Sequence, residues 1–250
     1  MIQSTLDDMN FIEDTSTDPY FNLALEEFIF YHFSEPVMRI WQNKPCVVVG
    51  KNQLLSAEID LDFAYKNNIK IVRRFSGGGA VFQDLGNVNI SFIRSDGKKS
   101  FQEYNQQLIR FLHSIDLSAT TNERQAIYLD KRKVSGCAQY VRGNKSIYHA
   151  TLLFSSKLDI LENVLQGVGL QKSDYRYVKS VKSPVENISR FLPPSFTQSK
   201  FIALLKDYFI APSDTKHIHL PNDLTRKINK LKDDKYQNEE WILRGKFNNI

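Results

Sequence analysis

Apolar residues recur along the 250-residue chain with two periods, and the switches between them outline its elements. A first helix opens at Pro19, with Asp18 placed to cap it; Phe21, Leu25, Phe28 and Ile29 then return on one face. Apolar runs at 37–41 and 46–50, parted by a turn around Asn43-Lys44-Pro45, predict two strands. Residues 57–67 read as a short helix and 69–74 as the next strand. Beyond a glycine cluster, 87–92 alternates polar and apolar side chains. Ser100 with Glu103 forms a capping box ahead of an apolar stripe of Tyr104, Leu108, Phe111, Leu112 and Ile115. Strands are expected at 125–129 and 132–140, around Asp130-Lys131, and at 147–154 after a Gly143-Asn144 turn. Helices follow at 156–165, 199–209 and near 223–231. With no repeat, low-complexity tract or linker, residues 1–250 are expected to form one domain. The stretch 167–194 is long for a bare connection, and such loops are often functional.

Composition narrows the partners. Hydrophobic residues make up 42% and charged residues 24%, as in a soluble globular protein. The net charge of +5 comes without a block of five or six like charges, and neither an aromatic RNA-binding motif nor zinc-finger spacing is present. Nucleic acid is therefore not the expected partner; a mildly basic face also suits a nucleotide or an acidic protein. Cys46 and Cys137 are too few and too far apart for a disulfide framework or a zinc site, so no metal ligands are assigned. The start lacks the charged and apolar regions of a signal peptide, and no run approaches the roughly 20 residues needed to span a bilayer. A cytoplasmic protein with no membrane association is the expectation.

The densest chemical signal is Arg73-Arg74-Phe75-Ser76-Gly77-Gly78-Gly79-Ala80-Val81-Phe82-Gln83-Asp84, followed by Gly86 and Asn87. Three glycines let backbone approach a ligand closely and can present amides to anionic oxygens, although a glycine run alone reads first as a flexible turn between strands. No Gly-Lys-Ser/Thr follows, so this is not a P-loop, and the dinucleotide spacing is also missing. Period-two alternation along 132–140 sets Lys133, Ser135 and Cys137 on one face and Val134 and Ala138 on the other. Alone, Lys133 reads first as one of several basic residues on a solvated hairpin beside Lys131 and Arg132.

Together these segments resemble lipoate–protein ligases and lipoyltransferases, relatives of the biotin ligases. The glycine segment resembles their lipoate-binding loop. Lys133-Val134-Ser135-Gly136-Cys137-Ala138 is similar to their Lys-Ile/Val-Ser-Gly-Ser-Ala segment, and His149-Ala150-Thr151-Leu152-Leu153 to their His-Gly-Thr-Leu-Leu segment. Asn22 to Glu27, Val47 to Gln53, and Glu240 to Lys246 also fit. The resemblance implies an α+β fold with mixed β-sheets flanked by helices. It implies ATP, Mg²⁺ and lipoate as reactants, and lipoyl-AMP as the intermediate passed to a lysine amine. Implied acceptors are lipoyl domains of 2-oxoacid dehydrogenase acyltransferase subunits and the glycine-cleavage H protein.

The resemblance makes Lys133 the catalytic cation, holding the lipoate carboxyl and the α-phosphate. It implies substrate contacts at Ser76, Gly77, Gly78, Gly79, Ala80, Gln83, Ser135, Gly136, Thr151, Ser183 and Asn187. Arg73 and Arg74 could each meet ligand or pair elsewhere, with Arg74 favoured as nearer the glycines. His149 shapes the site or is structural, and Asn87 serves a phosphate or closes a turn. Three positions depart from the family pattern: Gln83 replaces a histidine, Cys137 a serine, and Pro184 the arginine of a covering loop. The family's accessory C-terminal domain is expected to be absent. Transfer from supplied lipoyl-AMP is thus expected to outpace lipoate activation, which could need a separate small protein. A lipoyl- or octanoyltransferase, using lipoyl-AMP or an acyl-carrier donor with little ATP activation, is the alternative.

Overall fold

The computed structural model describes residues 9–98, 101–167, 179–210 and 215–247. Its strands run β1 (Asn10–Glu13), β2 (Val37–Trp41), β3 (Cys46–Val49), β4 (Lys70–Arg73), β5 (Val81–Gln83) and β6 (Asn87–Arg94). They continue through β7 (Thr120–Thr121), β8 (Ile127–Leu129), β9 (Arg132–Arg142), β10 (Lys145–Leu153) and β11 (His217–His219). The α-helices are α1 (Pro19–His32), α2 (Leu55–Glu58), α3 (Leu61–Lys66), α4 (Phe101–Ser114), α5 (Leu158–Val164), α6 (Gln198–Ile210), α7 (Asn222–Leu231) and α8 (Glu239–Arg244).

An eight-stranded sheet runs β11-β1-β2-β6-β10-β9-β8-β7, and a three-stranded sheet runs β4-β3-β5. The larger is mixed: β1 lies parallel to β11 and β2, and the remaining neighbours are antiparallel. Val88, Ile90, Phe92, Tyr148, Ala150 and Leu152 point from it into a core closed by Tyr104 and Leu108 of α4 and Phe201 and Leu205 of α6. Ile93 and Ile147 face the other way, toward α1. The small sheet explains why β3 is apolar at every position. Cys46 and Val48 turn toward α1, whereas Val47 and Val49 pack with α2, α3 and α5, so both faces are buried. The α+β expectation holds, and the cleft between the two sheets is where the glycine segment lies.

Several boundaries moved for identifiable reasons. The helix expected over 57–67 is two, because Asp60 is extended and its carboxylate accepts from Phe63 N (2.9 Å), capping a new helix. Helix α5 begins two residues late, since Ser156 N donates to Asn187 Oδ1 and Lys157 N to Asp84 Oδ2, each at 2.9 Å. Asp130 and Lys131 both take positive φ, the geometry of a two-residue hairpin turn. The capping residue Ser100 lies outside the described residues. Strands β1, β5, β7 and β11 and helix α8 had no sequence counterpart; four are two to four residues long, too short to establish a period.

Candidate active site

The cleft begins with the two arginines. Arg74 turns back on the glycines: its Nε and Nη2 donate to Gly77 O (3.0 and 2.7 Å), Nη2 also to Gly79 O (2.8 Å), and Nη1 to Val48 O (3.2 Å). The guanidinium thus cinches the loop to β3 and still lines the cavity beneath it. Burial lowers its pKa to about 10, so it stays cationic at neutral pH. Arg73 is spent on carbonyls of Gly50, Lys51, Gln53, Ile242 and Leu243, tying α8 to the loop that follows β3. Gly78 has φ +93, and a Cβ on Gly50 would stand 2.1 Å from Gly78 O, so the two backbones meet as only glycine allows.

Lys133 reaches the cleft by a route that simple alternation missed. Ser135 pairs with Ile127 but Lys133 pairs with Tyr128, so Val134 is an extra residue in β9, a β-bulge. Val134 is fully buried in the core on the α4 side. Ser135 lies opposite Leu152 and Cys137 opposite Ala150, both core residues of that same face. Lys133 instead shares the cleft face with Gly136, whose missing Cβ would sit 3.3 Å from Lys133 Nζ. The expectation that Lys133, Ser135 and Cys137 share one face is therefore corrected: the bulge reverses the lysine. Burial, with Arg124 adding repulsion, lowers the Lys133 pKa even though Cys137 acts in the opposite sense. No partner for Nζ exists among the described residues. Backbone hydrogen bonds from Lys133 N to Pro184 O (2.9 Å) and from Glu186 N to Lys133 O (3.0 Å) lay 183–187 alongside the lysine.

A polar chain crosses the cleft floor. Ser76 Oγ is 3.0 Å from His149 Nε2, and His149 Nδ1 is 3.4 Å from Glu26 Oε1. Glu26 also accepts from Ser91 Oγ, which accepts in turn from Trp41 Nε1 (2.9 Å). Burial pushes the Glu26 carboxyl upward, but His149, Ser91 and Arg39 outweigh it and hold the pKa below its usual value. Gln83 joins a buried amide network, accepting from Asn43 Nδ2 (2.7 Å) and donating to Asn89 Oδ1 (2.8 Å). The network needs donors and acceptors, not a titratable ring, which explains how glutamine serves there.

Two cavities meet at Lys133. The first, about 460 Å³, has Leu23, Trp41, Val48 and Ala150 as apolar wall and Glu26, Arg74, Gly79, Gln83 and His149 as polar wall. The second, about 480 Å³, lies between α2, α5 and residues 182–185, and Ser135 lines it. Ala80, Lys133, Gly136, Thr151, Ser180 and Ser183 line both. The remaining candidates stand behind the walls. Gly77 and Gly78 shape the loop, Ser76 supports His149, and Asn87 Nδ2 donates to Asn89 Oδ1 (2.9 Å). Asn187 fixes the far end of the covering segment on Ser156. Cys137 Sγ points at the carbonyls of Arg124 and Gln125, and burial raises its pKa, so it is held as a thiol. Sequence reasoning missed Glu26, Glu58 and Ser180. The signal for Glu26 was a carboxylate inside a helix buried from Asn22 to Phe30, which requires a partner.

Residues 18–210 match the model of the lipoyl protein ligase A/B catalytic domain. The chain belongs to the lipoate–protein ligase family. It is 35% identical over 243 residues to the lipoate-protein ligase LplJ of Bacillus subtilis, covering 93% of this chain and 73% of that protein. Lipoate–protein ligase 1 of Staphylococcus aureus is 33% identical over 239 residues, with the same two shares. Among solved structures, a lipoate-protein ligase A bound with ATP superposes with a TM-score of 0.81 at 25% identity, covering 96% of this chain and all of that one. A putative lipoate protein ligase from T. acidophilum with bound lipoic acid gives 0.80 at 25% identity, with the same coverage. Within this ligase, the matched span holds the glycine loop, Lys133, His149 and the covering segment, whereas α8, which anchors Arg73, lies beyond it.

Proposed function

We propose that this ligase converts lipoate and ATP to lipoyl-AMP across the two joined cavities, then passes the lipoyl group to a lysine of an acceptor protein. The observation that carries the reading is the junction itself. The first cavity and a second, loop-covered one share a half-buried lysine whose Nζ has no partner among the described residues. Ligands named for the two superposed ligases, lipoic acid and ATP, supply the two chemistries such a pair would take.

In the first step a lipoate carboxylate oxygen attacks the α-phosphorus, and the bond to pyrophosphate breaks. Lys133, shared by both cavities, neutralises charge on both reactants and holds them in line. In the second step the acceptor amine attacks the acyl carbon, the acyl–oxygen bond breaks, and AMP leaves as the amine gives up a proton. The covering segment, hydrogen-bonded to Lys133 at Pro184 and Glu186, shields the anhydride from water. Among the described residues no three His, Cys, Asp or Glu side chains cluster as a metal site. Mg²⁺ is proposed to arrive with the triphosphate, where it would neutralise phosphate charge. Lipoyl domains and the glycine-cleavage H protein are the proposed acceptors, and the cytoplasm the proposed compartment.

The test is pyrophosphate release from ATP, measured with lipoate, Mg²⁺ and the purified chain, followed by mass analysis of an added lipoyl domain. Lipoate- and metal-dependent release and a lipoylated lysine are expected. Efficient transfer from an acyl-carrier-bound octanoate without ATP, and no lipoate-dependent release, would overturn the reading.

A further inference from the structure

We infer that Ser180 is a second donor, beside Lys133, for the phosphoryl oxygens of the acyl-adenylate; the inference rests on the proposed function above. A serine hydroxyl has two lone pairs and one proton. Here both lone pairs are engaged: Gln53 Nε2 donates to Ser180 Oγ at 3.0 Å and Ala80 N at 2.8 Å. The direction of the first bond is settled by Gly50 N, which donates to Gln53 Oε1 (2.9 Å) and so turns the amide nitrogen toward the serine. The hydroxyl proton is all that Ser180 has left to offer, and it has no acceptor among the described residues.

The residue is also held in place. Its backbone N–H lies 3.0 and 3.2 Å from the two carboxylate oxygens of the buried Glu58. Gly79 leaves room for it, since a Cβ there would come within 2.8 Å of Ser180 Oγ. The outcome is a fixed hydroxyl that can only donate, at the junction where Lys133 also offers an unpartnered donor. Two such donors at one junction describe a subsite for an anion. Glu58, which fixes the serine, lines the second cavity and not the first, so the second cavity is taken as the nucleotide side and the anion is placed there.

The test measures binding to the whole chain of a non-hydrolysable lipoyl-sulfamoyl-adenosine and, separately, of lipoate. Ser180→Ala should weaken the adenylate analogue about ten- to a hundredfold, the usual scale for a hydrogen bond to a charged group. Lipoate alone should bind within about threefold of wild type, and Ser180→Thr, which restores a hydroxyl, should recover most of the lost affinity. Unchanged analogue affinity in Ser180→Ala would overturn the assignment. So would an equal loss for lipoate and analogue, which would make Ser180 only a strap between Gln53 and Ala80. If the wild-type chain fails to bind the analogue at all, the functional reading falls first and this inference with it.

Discussion

Replacing Lys133 by methionine should separate what the lysine does for catalysis from what it costs the fold. The side chain is half-buried, its pKa is lowered chiefly by burial, and Nζ has no partner among the described residues. An isolated cation in such a place opposes folding, and a methionine of similar length keeps its methylene packing on Gly136 while discarding the charge. The gain should be about 1 kcal/mol, which for a chain of this size raises the melting temperature by roughly 2–4 °C. Activity should move the other way. Losing one preorganised charged donor removes about 3–4 kcal/mol of transition-state stabilisation, or a factor on the order of a hundred to a thousand in rate. Thermal unfolding gives the first quantity; lipoate-dependent pyrophosphate release and transfer from supplied lipoyl-AMP, each measured alone, give the second. A folded Lys133→Met protein with near-normal rates would refute the placement of the lysine. A lower melting temperature would refute the claim that its charge is uncompensated.

Three further outcomes are expected. The Lys133 cation is fully present at low pH and is lost as pH rises through its lowered folded-state pKa. The alkaline limb of pyrophosphate release should therefore fall below the roughly 10.4 of a free lysine, and a limb at or above that value would contradict the burial argument. Cys137→Ser should keep activity within about threefold, because a hydroxyl can still donate to the carbonyl of Gln125, 3.5 Å from Sγ, and the sulfur is not ionised. A dead variant, with an acyl thioester trapped on the wild type, would point to covalent catalysis. Gly50→Ala should destabilise by about 1–3 kcal/mol and raise the KM for lipoate, because the new Cβ drives Gly78 and the Arg74 guanidinium out of place. A denaturant midpoint and KM both equal to wild type would show that the loop yields freely.

Much of this protein was determined by sequence alone. Asp18 and Pro19 start α1 through local chemistry, since a cap and a fixed φ act within one turn. Gly78 at φ +93 is likewise a backbone requirement visible in residue type. The order of the glycine, Lys133 and His149 segments pointed to the family before any coordinate did. What the tertiary structure alone decided are relations between segments far apart in the chain. Alternation is a property of a regular strand, so it could not foresee that Val134 bulges and turns Lys133 away from Ser135 and into the cleft. Nor could local pattern divide the labour of two adjacent arginines. Arg73 is committed to carbonyls almost 170 residues away at Ile242, and Arg74 to carbonyls three and five residues ahead. The floor chain takes Glu26, Ser76 and His149 from three different elements, and Ser180 becomes an obligate donor only because Gln53 and Ala80 fill its lone pairs. Local sequence sets the backbone's conformational preferences, but a hydrogen-bond inventory balances only when every partner is in place, and that accounting belongs to the fold.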